Sequence, residues 1–233
     1  MKILVVDDHA LIREALHGVL KKLTRDAVVL EASNCAQTME AVASHPRICK
    51  HIHLPLQAGN DRILQLMDRT YTRAEYLALM ERIRMRCPDI VLTTDIIAGF
   101  CSETDAEFQD TEEVIRQGEY HSAYIFKYSE RKNTIAARKY ADDVPDSVKS
   151  ARVTQLVELQ RAISQKKNRE MIGKTVEILV EGDGKRSPDQ WMGRTDGNIV
   201  TVFPKTDEGL KPGSLASVRI TDATVTTLYA ESV

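Results

Sequence analysis

The residues with the most chemical potential fall in five groups. Asp7 and Asp8 close the apolar run KILVV. Two carboxylates at a strand end suit a hard, oxygen-seeking cation such as Mg²⁺, and otherwise serve as loop acids. His51 and His53 lie two apart in HIHLPLQ, so on a strand both point to one face, as a metal pair or as histidines packed under a helix. Gln57, Asp95 and Glu103 fall at the carboxyl ends of expected strands, where α/β proteins bind ligands; the alternative is that they cap the following helices. Lys127, Arg131, Lys132, Arg138 and Lys139 are cations for phosphate contact or a plain solvated face. Trp191, Arg194, Asn198, Phe203 and Lys205 combine aromatic and polar groups suited to stacking on unpaired bases and touching phosphates, unless the rings complete a core. The cysteines, Cys35, Cys49, Cys87 and Cys101, include no close pair, which excludes the usual zinc spacings.

These groups need elements to hold them. The chain has 233 residues, 42% apolar and 28% charged, enough for one large or two smaller globular domains. Its net charge of -2 speaks against a generally basic nucleic-acid binder. The apolar runs are too short to span a bilayer, and Met1 to Ala10 lacks a signal peptide's apolar stretch, so a cytoplasmic protein with no membrane partner is expected. Apolar strands at 2–6, 27–30, 51–56, 90–98 and 122–128 alternate with helical patterns, predicting an α/β fold with a parallel sheet. The first helix carries the stripe Leu11, Ile12, Ala15, Leu16, Val19, Leu20 and Leu23. The second, Cys35 to Ala43, has Asn34 as N-cap and stops at His45-Pro46; Thr72 and Glu75 form a capping box for a later one. A long helix over 146–171, capped by Asp146, leads to five short β-branched runs from Gly173 onward, which predict a small antiparallel barrel.

Residues 1–44, with ILVVDDHALIREAL and VVLEASNCAQTMEAV, resemble the start of a response-regulator receiver domain. That resemblance implies Mg²⁺ at Asp7 and Asp8, beside a phosphate-accepting aspartate on the third strand. HIHLPLQ carries none, so phosphotransfer is not expected. Residues 47–230 resemble the C-terminal part of the radical-SAM tRNA methylthiotransferases, through HIHLPLQAGNDRILQLMDRTYTRAEY at 51–76, TTDIIAGFCSET at 93–104, SAYIFKYSERKNTIAA at 122–137 and VPDSVKSARVTQLVELQRAIS at 144–164. GRTDGNIVTVFP at 193–204 is similar to the TRAM domain, a small RNA-binding β-barrel. The resemblance implies SAM and a [4Fe–4S] cluster as cofactors, tRNA as partner, and SAM contacts at Gln57, Asp95, Gly99 and Glu103.

The departures shape the functional expectation. A radical-SAM cluster needs three cysteines spaced C-x-x-x-C-x-x-C, and this chain has no such loop, so the methylthiotransferase chemistry is expected to be absent. The usual G-F-P-G-E-T of the family is here Gly99-Phe100-Cys101-Ser102-Glu103-Thr104. The two resemblances meet at a join between parallel βα segments, so one sheet in the order 2-1-3-4-5, or a partly open barrel, is expected over 1–172, followed by a TRAM-like barrel over 173–233. The functional expectation is an inactive methylthiotransferase-like chain that keeps tRNA binding. The alternatives are a fold chimera, natural or constructed, without evolved activity, and a receiver module without its phosphoacceptor. An open sheet edge also invites homo-oligomerisation.

Overall fold

The computed structural model describes residues 2–23, 26–45, 48–206 and 209–233. The chain opens with β1 (Lys2–Val6), α1 (Ala10–Leu23), β2 (Val28–Ala32) and α2 (Cys35–Ser44). β1 and β2 pair in parallel, from Lys2↔Val28 to Val6↔Ala32. Asn34 caps α2 by accepting the Gln37 N–H. The helix ends at Ser44, while Pro46 lies outside the described residues.

A second segment follows: β3 (His51–His53), α3 (Asp61–Leu66), α4 (Arg73–Arg86), β4 (Val91–Ala98), α5 (Asp105–Gly118) and β5 (Ser122–Lys127). Its strands form a parallel sheet in the order β3-β4-β5. The capping box at Thr72 and Glu75 is formed, and Thr104 with Glu107 makes a second one at α5. The short α6 (Ile135–Lys139) was not expected; Thr134 caps it by accepting the Ala137 N–H. The long α7 (Asp146–Arg169) then packs on β5 and α5. Asp146 is its first residue rather than its cap, which is Pro145.

The expected continuous sheet 2-1-3-4-5 is not formed, because β1–β2 and β3-β4-β5 are separate sheets. A two-stranded sheet offers too little surface to cover a helix, and the packing of α1 reflects this. Arg13 and His17 turn toward β2, where both meet Glu31. The apolar stripe that should have faced the sheet points outward, with Leu11 80% and Leu23 76% exposed.

The C-terminal strands are β6 (Thr175–Asp183), β7 (Gln190–Thr195), β8 (Val200–Pro204), β9 (Leu215–Ala223) and β10 (Thr227–Ser232). They close into a barrel in the order β10-β8-β7-β6-β9. The barrel is mixed rather than antiparallel, since β10 runs parallel to β8 while the other pairs are antiparallel. Parity requires this: alternating directions around a ring with an odd number of strands leave one pair aligned. Ile178, Val180, Phe203, Val218, Ile220 and Leu228 fill the interior. The α/β part has its own core around Leu56, Leu92, Ile96, Phe108, Ile115, Tyr120 and Leu156.

Candidate functional site

The structure divides the expected cofactor residues between two places. Gln57, Gly99 and Glu103 sit beyond the carboxyl ends of β3 and β4. Gln57 is buried at φ 68°, donates its N–H to Asp95 O at 2.8 Å, and accepts Arg69 Nη2 at 3.1 Å through Oε1. Gly99 has φ 77°, and a Cβ there would stand 2.3 Å from Lys149 Cγ on α7. The Glu103 carboxylate accepts the Gly99 N–H at 2.7 Å and the Arg152 guanidinium at 2.9 Å. Arg152 Nη2 also reaches Asp105 Oδ1 at 2.7 Å. Burial pushes the Glu103 carboxyl upward, against the Gly99 N–H and Arg152, which favour its charged form. Glu103 is therefore not an open ligand group, because its side chain is buried and its Oε2 is engaged in an interior latch that α7 closes over the strand ends.

Asp95 lies in the middle of β4 and opens elsewhere. It lines a cavity of about 570 Å³ on the amino-terminal half of the sheet, walled by α7 and by the turn between β7 and β8. Gly197 in that turn lies close against Val91 of β4. On the sheet side, His51 Nε2 and His53 Nδ1 each stand 3.0 Å from Thr93 Oγ1, and His53 Nε2 lies 3.3 Å from Asp95 Oδ2. A carboxylate only accepts, so neutral His53 carries its proton on Nε2 and its Nδ1 accepts the Thr93 O–H. Thr93 Oγ1 is then left to accept from His51 Nε2–H. The result is a directed chain, His51 to Thr93 to His53 to Asp95.

Burial, helped by the charge of His53, lowers the pKa of His51. Burial also drives His121, another wall residue, down to about 4, with Lys167 and Arg84 adding to the effect. Both rings resist protonation in the folded state and accept it freely once unfolded. Their contribution is whole above the ordinary histidine value of 6.5 and is lost as pH falls below it, for His121 through the interval down to about 4. For His121 the loss by about pH 4.5 is on the order of 2–3 kcal/mol. Urea melts at neutral pH and near pH 4.5 should show that loss, and His121→Gln should reduce it. An unchanged pH dependence in that variant would refute the assignment.

The expected nucleic-acid residues are not brought to one surface. Arg194 and Asn198 line the same cavity, with Arg194 Nε 3.2 Å from Glu181 and Nη1 3.0 Å from Asn198 Oδ1. Trp191 and Lys205 form a separate patch, with Lys205 Nζ 4.2 Å from the indole centroid and 2.7 Å from Asp183. Phe203 is 1% exposed in the barrel core and presents no ring for stacking, because it shares the inward face with its cross-strand partner Trp191. Arg131, Lys132, Arg138 and Lys139 are exposed around α6, whereas Lys127 is paired with Asp146.

After β1, Asp7 accepts the His9 N–H through its side chain, and its carbonyl accepts Arg13 Nη1. Among the described residues no three His, Cys, Asp or Glu side chains gather as a metal site. Cys35 and Cys49 are exposed, while Cys87 and Cys101 are buried. These donors do not fit a [4Fe–4S] cluster. No helix among the described residues is long and apolar enough to cross a membrane.

Sequence reasoning missed Arg152, Thr93, His121, Tyr124 and Arg161. The signal for the first was the buried polar spacing Lys149, Arg152, Gln160, Ser164 and Asn168 along one face of α7.

Residues 169–233, which span the closed barrel, match the TRAM domain family. The C-terminal barrel is a TRAM domain. Residues 11–115 match the Radical SAM superfamily. That match crosses the seam drawn at 44–47 and takes in most of the receiver-like stretch. The chain is 45% identical over 197 residues to a tRNA-2-methylthio-N(6)-dimethylallyladenosine synthase of Phocaeicola vulgatus, covering 84% of this chain and 43% of the relative. It is 45% identical over 195 residues to the enzyme of the same name from Chlorobaculum tepidum, covering 84% and 44%. This chain thus spans less than half the length of these curated relatives. Among solved structures, coproporphyrinogen III oxidase from Escherichia coli, a radical SAM enzyme, aligns at a TM-score of 0.48 and 14% identity, over 78% of this chain and 51% of that one. The TRAM domain is held to α7 by Gln165, which donates to Ala223 O, and by Asn168, which donates to Thr224 O and Val225 O.

Proposed function

We propose that this chain is a tRNA-binding unit of the methylthiotransferase type, and that it does not itself perform the radical reaction. The supporting observation is the 45% identity to tRNA-modifying synthases along 84% of the chain. The TRAM domain offers Lys205, set over the half-buried Trp191, and the turn carrying Arg194 and Asn198 offers a second, separate polar patch toward the sheet. Of the residues that the family likeness assigns to SAM, Gly99 and Glu103 serve here to fasten the end of β4 to α7, and Gln57 is tied to Arg69 and to the β4 backbone, so SAM is not expected to bind tightly. The scattered cysteines supply no cluster. Asp7 and Asp8 remain the proposed place for a weakly held Mg²⁺.

The test is tRNA binding by the full chain across a salt series. Affinity should fall steeply as salt rises, because phosphate contacts release counterions. Lys205→Glu, at an exposed position, should weaken binding by about tenfold at low salt. Absence of binding at low salt would refute the reading and favour a fold without an evolved partner. An iron–sulfide chromophore after anaerobic reconstitution would refute its catalytic half.

A further inference from the structure

The cavity between the sheet, α7 and the TRAM domain lies at the end of the strands opposite to the carboxyl edge where α/β folds usually hold ligands. Its charges are unevenly spent. Asp95 is tied to His53, and His51 and His121 are held neutral. Arg161 on α7 makes no ion pair or hydrogen bond among the described residues. Across the cavity Arg194 uses Nε and Nη1 on Glu181 and Asn198, which leaves Nη2 unspent. Two guanidinium groups from two domains therefore border the space, and Asp95 is turned onto His53 rather than onto either of them. That is an environment for a dianion, which Arg binds through charge-assisted, paired hydrogen bonds.

Two further features specify more than an anion. Tyr124 is 58% exposed and meets His53 edge-on, with centroids 6.0 Å apart, so a flat π-surface is presented within the lining. In the lining, Gln160 donates Nε2 to Tyr120 O and Ser164 Oγ, while its buried Oε1 has no partner among the described residues. An N–H or O–H donor arriving from the cavity would relieve this unspent acceptor. The volume, about 570 Å³, falls in the range of about 300–1,000 Å³ that holds molecules of drug or cofactor size.

We propose that this cavity is a mononucleotide site. The phosphate lies between Arg161 and Arg194, the base stacks on Tyr124, and a polar hydrogen of base or ribose answers Gln160. The nucleotide is either free or an unpaired nucleotide of an RNA strand. Occupancy would clamp the TRAM domain to the sheet, because the two arginines belong to different domains.

Calorimetric titration of the full chain with AMP, adenosine and inorganic phosphate tests this. AMP should bind saturably, and adenosine and phosphate should each bind at least about tenfold more weakly, since adenosine lacks the phosphate that the arginines hold and phosphate lacks the ring that stacks on Tyr124. Arg161→Ala, at an exposed helix position, and Arg194→Ala should each weaken AMP by about tenfold, whereas Lys21→Ala should leave it unchanged. A single-stranded oligoribonucleotide that displaces AMP identifies the ligand as part of an RNA strand; failure to displace it identifies a free nucleotide. No saturable AMP binding, or AMP binding indifferent to both arginine variants, overturns the proposal. The free-nucleotide titration requires no tRNA, so it can fail while tRNA binding persists, and the reverse also holds.

Discussion

Replacing Arg152 with methionine is expected to lower the stability of the α/β part by about 3–5 kcal/mol, the usual cost of leaving a buried charge without its partner. The side chain is 7% exposed and that of Glu103 only 1%. Nη1 also donates to the Glu103 carbonyl at 3.1 Å, and Nη2 holds Asp105 in the first turn of α5. Removing the guanidinium strands the carboxylate or forces it to take up a proton, and frees the loop that begins at Gly99. Adding Glu103→Gln removes the stranded charge, so the double variant should be more stable than Arg152→Met alone. Denaturant melts decide the matter. A single variant within about 1 kcal/mol of the parent would mean that the latch is not what fastens α7 to the strand ends.

Gly59→Ala is the second large effect. A Cβ at this position would stand 2.5 Å from Thr111 Cα, 2.6 Å from Asp110 O and 2.7 Å from Thr111 N. All three are backbone atoms of α5, so no rotamer change can relieve the clash, and the helix itself must retreat. Retreat also strains the Gly59 N–H to Thr111 Oγ1 bond and the grip of Asn60 and Arg73 on Asp110. A loss of about 3 kcal/mol is expected, at the upper end for overpacking. For a chain of this size that lowers Tm by about 6–12 °C. Gly18→Ala provides the contrast: nothing lies within 4 Å of its Cβ, and an exposed mid-helix alanine should stabilise by about 0.5–1 kcal/mol. Equal Tm values for the two variants would refute the close-approach argument.

Local chemistry was legible wherever a residue acts on its own neighbours. Asn34 and Thr72 could be assigned as caps because capping depends on residues within one turn. The barrel could be expected because β-branched runs alternate with turn residues over a short span. Its mixed strand order could not, because strand pairing across the closure is a long-range property. The joined sheet failed for the same reason: parallel βα units are compatible with a common sheet, but compatibility does not supply the pairing between β1 and β3. For the site, the motif match located Arg194 and Asn198 but grouped them with Phe203, whose inward direction follows from strand register. Glu103 looked like a ligand at a strand end because its partner, Arg152, is 49 residues away in sequence.

The hydrogen bonds from Gln165 and Asn168 to the chain between β9 and β10 define what can be inherited as a piece. The ring has its own interior, and the end of α7 is hydrogen-bonded to it. The exchangeable cassette is therefore helix plus barrel. A gene rearrangement cutting within α7 would deliver a damaged module, whereas one cutting upstream of Asp146 would deliver a complete one. A rearrangement upstream of Asp146 is tolerable because it leaves that cassette whole.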